Sequence, residues 1–223
     1  MTTPLLPQAF WFRLSVPCRQ VSGLPKTGAK GGLLGLDASC SLPEISTLDN
    51  KPSWADVRIA WNPGGLAIQV ETAKSTAPSP IATGEEAEGM HGLQVWIDTR
   101  DTRNVSRATR FCHRFSVRLV RGNARSALGV EVTQRPIARA VADAPICRPE
   151  ILSARAERLK QGWRIELFLP AEALQGFDPE TNRRLGFAYQ VTDHDREDQF
   201  LGVGREFPVG ENPSLWTTLE LRD

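Results

Sequence analysis

The chain has 223 residues, of which 40% are hydrophobic and 24% charged, a composition typical of a folded globular protein. Its 27 lysine and arginine residues nearly balance its 26 aspartate and glutamate residues, which gives a formal net charge of +1. This balance disfavours a globally basic nucleic-acid-binding protein and a strongly acidic tail protein, although it allows a local charged patch.

The N-terminal residues lack the pattern of an export signal. No basic residue precedes the first apolar run, and Pro4 and Pro7 interrupt it. No stretch of the sequence approaches the roughly 18 apolar residues of a membrane-spanning helix. We therefore expect a cytoplasmic protein without a membrane partner.

The spacing of the cysteines disfavours a zinc site, because none forms a C-x-x-C pair. Scattered thiols fit a reducing compartment, where they act as small apolar side chains. The sequence also allows one disulfide as an alternative. The four are Cys18, Cys40, Cys112 and Cys147.

Short runs of alternating apolar and polar residues predict strands along most of the chain. The first strand is predicted at residues 9–16, and residues 23–52, rich in Gly, Ser and Pro, are expected to be irregular. Two alternating runs at residues 57–61 and 66–70, joined by Asn-Pro-Gly-Gly, predict a β-hairpin. A short helical turn is expected at residues 170–174. Further strands are predicted at residues 93–98, 130–133, 151–159, 163–169, 186–191 and 215–221.

About nine or ten short strands with almost no helix indicate an all-β protein. We expect one domain over residues 1–223, built as a two-sheet antiparallel β-sandwich of jelly-roll or immunoglobulin-like type with few short helical turns.

Residues 100–125 carry eight arginines and one acid, Asp101, and two templates fit them. The arginine spacing has helical period, which would give a basic amphipathic helix for phosphates or RNA. Alternatively, the side chains of residues 111, 113, 115, 117 and 119 point inward from a strand, and Arg110, Arg114 and Arg118 point outward. The neighbouring strands favour the second interpretation, in which the arginines bridge to acids on adjacent strands or meet an acidic partner.

Five segments together resemble carbohydrate-binding module family 9 and related DOMON-like domains. They run in family order from residue 54 to the C-terminus. The segments are WADVRIAWNPGGLAIQV (54–70), GLQVWIDTRD (92–101), GWRIELFLPAEAL (162–174), LGFAYQVTDHD (185–195) and the closing strand at residues 215–221.

The resemblance implies a jelly-roll β-sandwich that binds sugars without catalysis, often with calcium supporting its loops. The sequence departs from the family where acids are common, since those places hold Glu71 and His91-Gly92. Indole rings stack on the apolar face of a sugar, and arginines can bond its hydroxyl groups. The candidate ligand-binding residues are Trp54, Trp96, Trp216, Arg110 and Arg114.

Alternation assigns the tryptophans to different faces. Trp96 and Trp216 are expected opposite the apolar faces of their strands, where a ligand surface could lie. Trp61 and Trp163 are expected in the core, which is the commoner position for any tryptophan.

Residues 193–198 pack four acids into six positions. Clustered carboxylates repel one another unless a cation or arginines lie among them. Because Ca²⁺ is held by oxygen ligands, Asp193, Asp195 and Asp198 are candidate calcium ligands. A solvated turn paired to arginines is the alternative interpretation. Asp98 and Asp101 are weaker candidates.

Met90 and His91 raise a haem alternative, because some DOMON-like domains hold haem between a methionine and a second ligand. Adjacent residues cannot bind iron from opposite sides, so His113 would be needed. Its position between two phenylalanines favours a core histidine instead, which disfavours haem.

An enzyme is also disfavoured. The sequence contains no G-x-S-x-G or H-E-x-x-H motif. Glu166 lies in the middle of a predicted strand, and the sequence identifies no partner carboxylate for glycoside hydrolysis.

Overall fold

The structure, a computed structural model, describes residues 6, 8–11, 14–26, 32–49, 51, 53–72, 91–122 and 128–223. The described residues form an all-β protein with short helical turns, as predicted. None of the helices in these ranges is long and apolar enough to cross a membrane. The strands are β1 (Ser15–Gln20), β2 (Ala55–Asn62), β3 (Gly65–Thr72), β4 (His91–Asp98), β5 (Cys112–Arg121), β6 (Leu128–Arg135), β7 (Ser153–Leu159), β8 (Gly162–Pro170), β9 (Arg184–Asp193), β10 (Gln199–Phe200) and β11 (Thr217–Arg222).

The helical elements are short. The α-helix α1 covers Gln8–Trp11, and single 3₁₀ turns lie at Ala38–Cys40, Ile45–Asp49, Pro149–Ile151, Ala171–Ala173 and Pro213–Leu215. The 3₁₀ turn at Ala171–Ala173 confirms the helical turn predicted there. The first predicted strand was wrong in position, because residues 8–11 are helical and strand β1 begins at Ser15.

The strands form one continuous, nearly closed sheet, and this corrects the expectation of two separate stacked sheets. The strand order is β6-β5-β4-β9-β11-β1-β2-β3-β8-β7, with β10 paired to β9. The end strands β6 and β7 contact each other, which gives the sheet a barrel-like shape. Strand β1 runs parallel to both neighbours, whereas the other pairs are antiparallel.

The predicted hairpin is confirmed as β2 and β3, and a glycine is required at its turn. The amide oxygen of Asn62 accepts a hydrogen bond from the Gly64 N–H at 2.8 Å. Gly65 has a φ of 148°, and a Cβ atom there would lie 2.1 Å from the carbonyl oxygen of Leu169. The turn therefore lets β3 pair closely with β8, which continues the sheet.

Alternating side chains fill the inside of the sheet with the main apolar core. Trp61 and Trp163 both lie in this core, as predicted. The outer face carries two further apolar clusters, each covered by irregular chain. One lies over β4, β5 and β9 and includes Trp96 and Trp216. The other lies over β2, β3 and β8 and includes Phe168.

Glu166 attaches the irregular segment 32–36 to the outer face of β8. Its buried carboxylate accepts hydrogen bonds from the N–H groups of Leu33, Leu34 and Gly35 at 2.8 to 2.9 Å. On β3, directly opposite, Gln69 accepts the N–H of Leu36 at 3.0 Å. Burial raises the pKa of Glu166, but the three N–H donors outweigh this and hold the pKa below its ordinary value.

We predict that Glu166→Gln lowers the free energy of unfolding by about 2–4 kcal/mol at pH 7, because an amide group replaces a charged acceptor of three buried N–H groups. A carboxyl group with a lowered pKa stabilises the fold above the unfolded-state pKa, and the effect is lost as the pH falls through the folded-state pKa. The difference between wild type and variant should therefore shrink below about pH 4. Urea denaturation monitored by tryptophan fluorescence measures both effects.

Glu157→Gln is the matched control for this prediction. Glu157 lies on the neighbouring strand β7, where it pairs with Arg164 at a partly exposed position, so its loss should cost under about 1 kcal/mol. Equal losses in the two variants would contradict the structural role of Glu166.

Candidate functional site

A cleft with mostly polar lining lies on the outer face of four neighbouring strands, β6, β5, β4 and β9. Its volume is about 480 Å³, and it is lined mainly by outward residues of these strands together with Arg205. The outward positions of the strands stand beside one another in register, so the lining forms three rows across the sheet. This part of the outer face differs from the two apolar clusters, because its side chains carry hydroxyl, amide and guanidinium groups.

The middle row carries uncharged polar groups. Gln94 on β4 is directly opposite Gln190 on β9 and Ser116 on β5, and Ser116 is opposite Thr133 on β6. Adjacent strands lie about 4.8 Å apart, so this row spans all four strands, with two neighbouring amide groups on β9 and β4 and two neighbouring hydroxyl groups on β5 and β6. Amides and hydroxyls can donate and accept hydrogen bonds, and the row can therefore bind a ligand with both kinds of group.

The next row has a glycine in its centre. Gly92 lies between Thr192 and Arg118, and a Cβ atom on it would lie 2.2 Å from the carbonyl oxygen of Val117. The absence of a side chain at this position leaves the floor of the cleft low. Arg118 forms an ion pair with Glu131, its cross-strand neighbour on β6, which confirms that an arginine of β5 bridges to an acid on an adjacent strand.

The third row contributes two arginines to the lining, and the covered Trp96 lies beside them on β4. Arg114 is directly opposite Trp96, and Arg135 is directly opposite Arg114. The Arg114 guanidinium donates two hydrogen bonds to the amide oxygen of Gln94, at 3.1 and 2.6 Å, and lies 5.9 Å from the Trp96 ring centre. The Arg114 guanidinium therefore links the third row to the middle row.

Ion pairs and hydrogen bonds fix the β9 side of the cleft. Arg205 pairs with Asp198, and the same carboxylate accepts the Gln190 amide N–H at 2.8 Å. His91, at the start of β4, has its Nδ1 atom 3.6 Å from the Asp193 carboxylate. The charged side chains on this side are therefore positioned by the residues next to them.

The structure places the candidate tryptophans away from the open lining of this cleft. Trp96 and Trp216 lie opposite the core-facing side of the sheet, as predicted, but they are only 3% and 6% exposed because irregular chain covers them. Trp54 is half-buried; its indole N–H donates to the Glu197 carbonyl at 2.9 Å, and Arg196 lies over its ring. A platform role for these three residues stays a prediction.

Residues 112–121 of the arginine-rich segment form strand β5, and residues 100–111 form turns and irregular chain, so the helical interpretation was wrong for the described residues 100–122. Strand β5 places Phe115 and Val117 in the core, and Arg114 and Arg118 line the cleft. Arg110 lies outside the lining and rests on the Phe111 ring, 5.0 Å from its centre. Arg125 lies outside the described residues.

The acidic residues at 193–198 do not converge on one point. Asp193 is buried, where its carboxylate accepts the Asp195 N–H at 3.1 Å and the Trp163 indole N–H at 3.4 Å. Asp198 pairs with Arg205. No group of three or more acids, histidines or cysteines in the described part of the chain is arranged to hold a metal ion. Calcium binding at Asp193, Asp195 and Asp198 stays a prediction.

His113 is a buried histidine whose two ring nitrogens both have polar neighbours. The Nε2 atom lies 3.3 Å from the Gln175 carbonyl oxygen, and Nδ1 lies 3.4 Å from the Gln134 amide nitrogen. Burial lowers the pKa of His113 to about 4, although the hydrogen bond with Gln175 opposes this. This confirms a core histidine. Met90, the other residue of the haem interpretation, lies outside the described residues.

The four cysteines are free in the structure. The candidate acid Asp98 is buried and accepts the N–H groups of Arg100 and Thr102, which makes it a cap of the turn after β4.

A second, more open cleft of about 490 Å³ lies beside that turn. Its residue Asp101 binds the lining arginines Arg103 and Arg184 at 3.1 and 3.3 Å and accepts the Thr218 hydroxyl at 2.8 Å. These groups tie β9 and β11 to the turn. We therefore regard the first cleft as the candidate site, because its polar groups cover four strands.

Sequence reasoning identified Arg114 in this cleft and missed its uncharged residues. Gln94, Gln190, Ser116 and Thr133 occupy outward positions of correctly predicted alternating segments or their extensions. The alternation could have assigned each to the outer face, but the pairing order β6-β5-β4-β9, which brings them together, is a tertiary feature.

Comparison with known proteins supports the fold. The sequence matches no protein-family model and no curated protein. Two solved structures of a family 9 carbohydrate-binding module from Caldicellulosiruptor kristjanssonii are similar to this chain. The complex with cellotriose has a TM-score of 0.59 and 13% identity, over 93% of this chain and 93% of its own. The complex with glucose has a TM-score of 0.61 and 14% identity, over 93% of this chain and 95% of its own. A Bacteroides uniformis protein provisionally named as carbohydrate-binding covers 94% of this chain and 99% of its own, at TM-score 0.52 and 12% identity. The chain therefore has a fold like that of family 9 modules.

We predict that His113 makes the protein less stable in mild acid. A histidine whose pKa falls from about 6.5 when unfolded to about 4 when folded leaves the folded state with fewer bound protons between these values. The titration of His113 alone should lower the free energy of unfolding by roughly 3 kcal/mol as the pH drops from 7 to 4. Urea denaturation at several pH values measures the slope.

The His113→Gln variant should flatten this slope, whereas His194→Gln, which changes an exposed histidine, should leave it unchanged. An unaltered slope in His113→Gln would contradict the assignment.

Proposed function

We propose that the chain is a non-catalytic carbohydrate-binding module that binds its sugar in the cleft over β6, β5, β4 and β9. The observation that carries this proposal is the row of amide and hydroxyl groups across four strands, Gln190, Gln94, Ser116 and Thr133. The backbone that carries these groups is fixed in a sheet, so little backbone conformational entropy is lost when a ligand binds them.

The chemistry of the row suits a sugar. Each sugar hydroxyl is both a donor and an acceptor, and an amide side chain carries one acceptor oxygen and two donor hydrogens. The Gln94 oxygen already accepts from Arg114, so Gln94 offers the sugar its N–H groups. The low floor at Gly92 gives a bulky pyranose ring room to approach these groups. Specific binding sites are typically clefts in which a few polar groups fix the orientation of the ligand.

The solved structures with a similar fold support the same proposal. One contains cellotriose and another contains glucose. Because the identities are 13% and 14%, this support concerns the type of module, and the binding residues have to be taken from this chain.

The charged groups of the cleft favour binding over hydrolysis. Glycoside hydrolysis ordinarily needs two carboxyl groups on either side of the scissile bond. Among the described residues that line the cleft, Glu131 is the only acid, and it pairs with Arg118. Asp198, at the edge, pairs with Arg205. We therefore propose a binding role without catalysis.

We predict that isothermal titration against a panel of neutral and charged oligosaccharides detects binding, and that Ser116→Trp abolishes it. Ser116 lies in the middle row, so an indole there would fill the cleft without altering the core-facing positions of β5. The matched control is Ser39→Trp, because Ser39 is an exposed residue on the segment that covers a different part of the sheet.

Circular dichroism should show the same fold in wild type and both variants. No heat with any member of the panel would contradict the function, and unchanged affinity in Ser116→Trp would contradict the site.

A further inference from the structure

We propose that the ligand of this module is an oligosaccharide longer than a disaccharide, and that a sugar unit outside the cleft stacks on the exposed rings of Phe10 and Trp11. This inference rests on the proposed function and adds a second subsite beside the cleft. The chemistry recognised there is the apolar C–H face of a pyranose ring.

The first observation is the exposure of two neighbouring aromatic side chains on α1. Phe10 is 40% exposed and Trp11 is 64% exposed, and their rings meet edge to face with centres 5.8 Å apart. Every other tryptophan of the chain is buried or half-buried. Aromatic surface that is left open to water marks a site of interaction.

The second observation is that packing holds these rings in place. The Phe10 ring stacks on the ring of Phe207, with the planes 13° from parallel and the centres 4.9 Å apart. Phe207 in turn packs against the apolar cluster that contains Trp96 and Trp216. We call Phe207, Phe10 and Trp11 the aromatic platform. Rings that are ordered before binding lose little freedom when a ligand covers them.

The third observation is that the platform continues from the edge of the cleft. Arg205, which lines the cleft, and Phe207 belong to one tight turn, in which the Phe207 N–H donates to the Gly204 carbonyl at 3.1 Å. Two residues of chain span at most about 7 Å, which limits the distance between the Cα atoms of Arg205 and Phe207. A ligand that extends from the polar row to Arg205 therefore ends close to the platform.

The fourth observation is that the cleft and the platform offer complementary groups. Among the described residues that line the cleft there is no Phe, Tyr or Trp, and Trp96 beside them is only 3% exposed. The amide and hydroxyl row can bond the hydroxyl groups of one sugar unit, and the platform can contact the apolar face of another. A single ligand that uses both has to contain several units.

The exposed area favours a small ring over a protein partner. A fully covered aromatic side chain buries roughly 150–250 Å², so Phe10 and Trp11 at their exposed fractions offer about 200 Å². A stable interface between proteins buries about 800 Å² on each partner. Even with the exposed side chain of Leu48, on the 3₁₀ turn that α1 contacts, the platform stays well below this area. A second copy of the chain is therefore disfavoured as its occupant.

The test is isothermal titration of the full chain with cello-, xylo- and laminari-oligosaccharides, each as the disaccharide, the tetrasaccharide and the hexasaccharide. We expect the affinity for the series that binds best to rise about tenfold between the disaccharide and the hexasaccharide. Only the longer chains can reach the cleft and the platform together, and the second contact is then intramolecular.

Trp11→Ala and Phe10→Ala should each weaken the hexasaccharide about fivefold to tenfold and change the disaccharide less than about twofold. Trp11→Phe keeps a ring and should retain most of the affinity for the hexasaccharide. Val141→Ala is the matched control, because Val141 is a 68% exposed apolar residue between β6 and β7 that does not line the cleft. It should bind both sugars as wild type does.

Tryptophan fluorescence gives a second measurement at the platform itself. Because Trp11 is the most exposed tryptophan, acrylamide should quench it more than the others. The hexasaccharide should protect wild type from this quenching, whereas the disaccharide should not. Trp11→Phe should show no protection by either sugar.

Four results would overturn the inference. Equal affinity for the disaccharide and the hexasaccharide would overturn it and leave the proposed function standing, whereas no binding by any saccharide would overturn both. Unchanged affinity for the hexasaccharide in both Trp11→Ala and Phe10→Ala would overturn the placement of the second subsite. A dimer in sedimentation velocity that Trp11→Ala dissociates would show that a second copy of the chain covers the platform, and would also overturn it.

Discussion

The side chains of β4 alternate between two environments, and the site depends on this alternation. Leu93, Val95 and Ile97 fill the core inside the nearly closed sheet. Gln94 and Trp96 therefore have to face outward. Strand β4 lies between β5 and β9, so both side chains stand beside outward residues of these two strands. Because successive side chains of a strand point to opposite faces, the core that fixes the inward residues also fixes which side chains reach the outer face.

The outer face is then divided by what covers it. Irregular chain packs on Trp96 and Trp216 over one part of the sheet and on Phe168 over another. The positions between β6 and β9 carry amides, hydroxyls and arginines, which do not favour such apolar packing. The cleft is thus the part of the outer face whose composition keeps it accessible to a polar ligand.

Buried polar contacts hold the covering segments in place and are separate from the cleft. Glu166 and Gln69 accept backbone N–H groups from residues 33–36, which satisfies donors that would otherwise be buried without partners. At the turn after β4, Asp98 accepts two backbone N–H groups and Asp101 accepts the Thr218 hydroxyl group. Several acids that resemble binding or catalytic residues in the sequence are therefore parts of the scaffold.

Alternation and turn residues were enough to predict the β2–β3 hairpin, the core positions of Trp61 and Trp163, and the inward side of β5, because each depends on neighbouring residues along the chain. They also gave the outward direction of Trp96. They could not show that irregular chain buries Trp96 and Trp216, that one sheet nearly closes on itself where two were expected, or that Gln190 stands beside Gln94 and Arg135 beside Arg114. Residues 94 and 190 become neighbours only through strand pairing across distant parts of the chain, and local sequence preference does not encode that pairing.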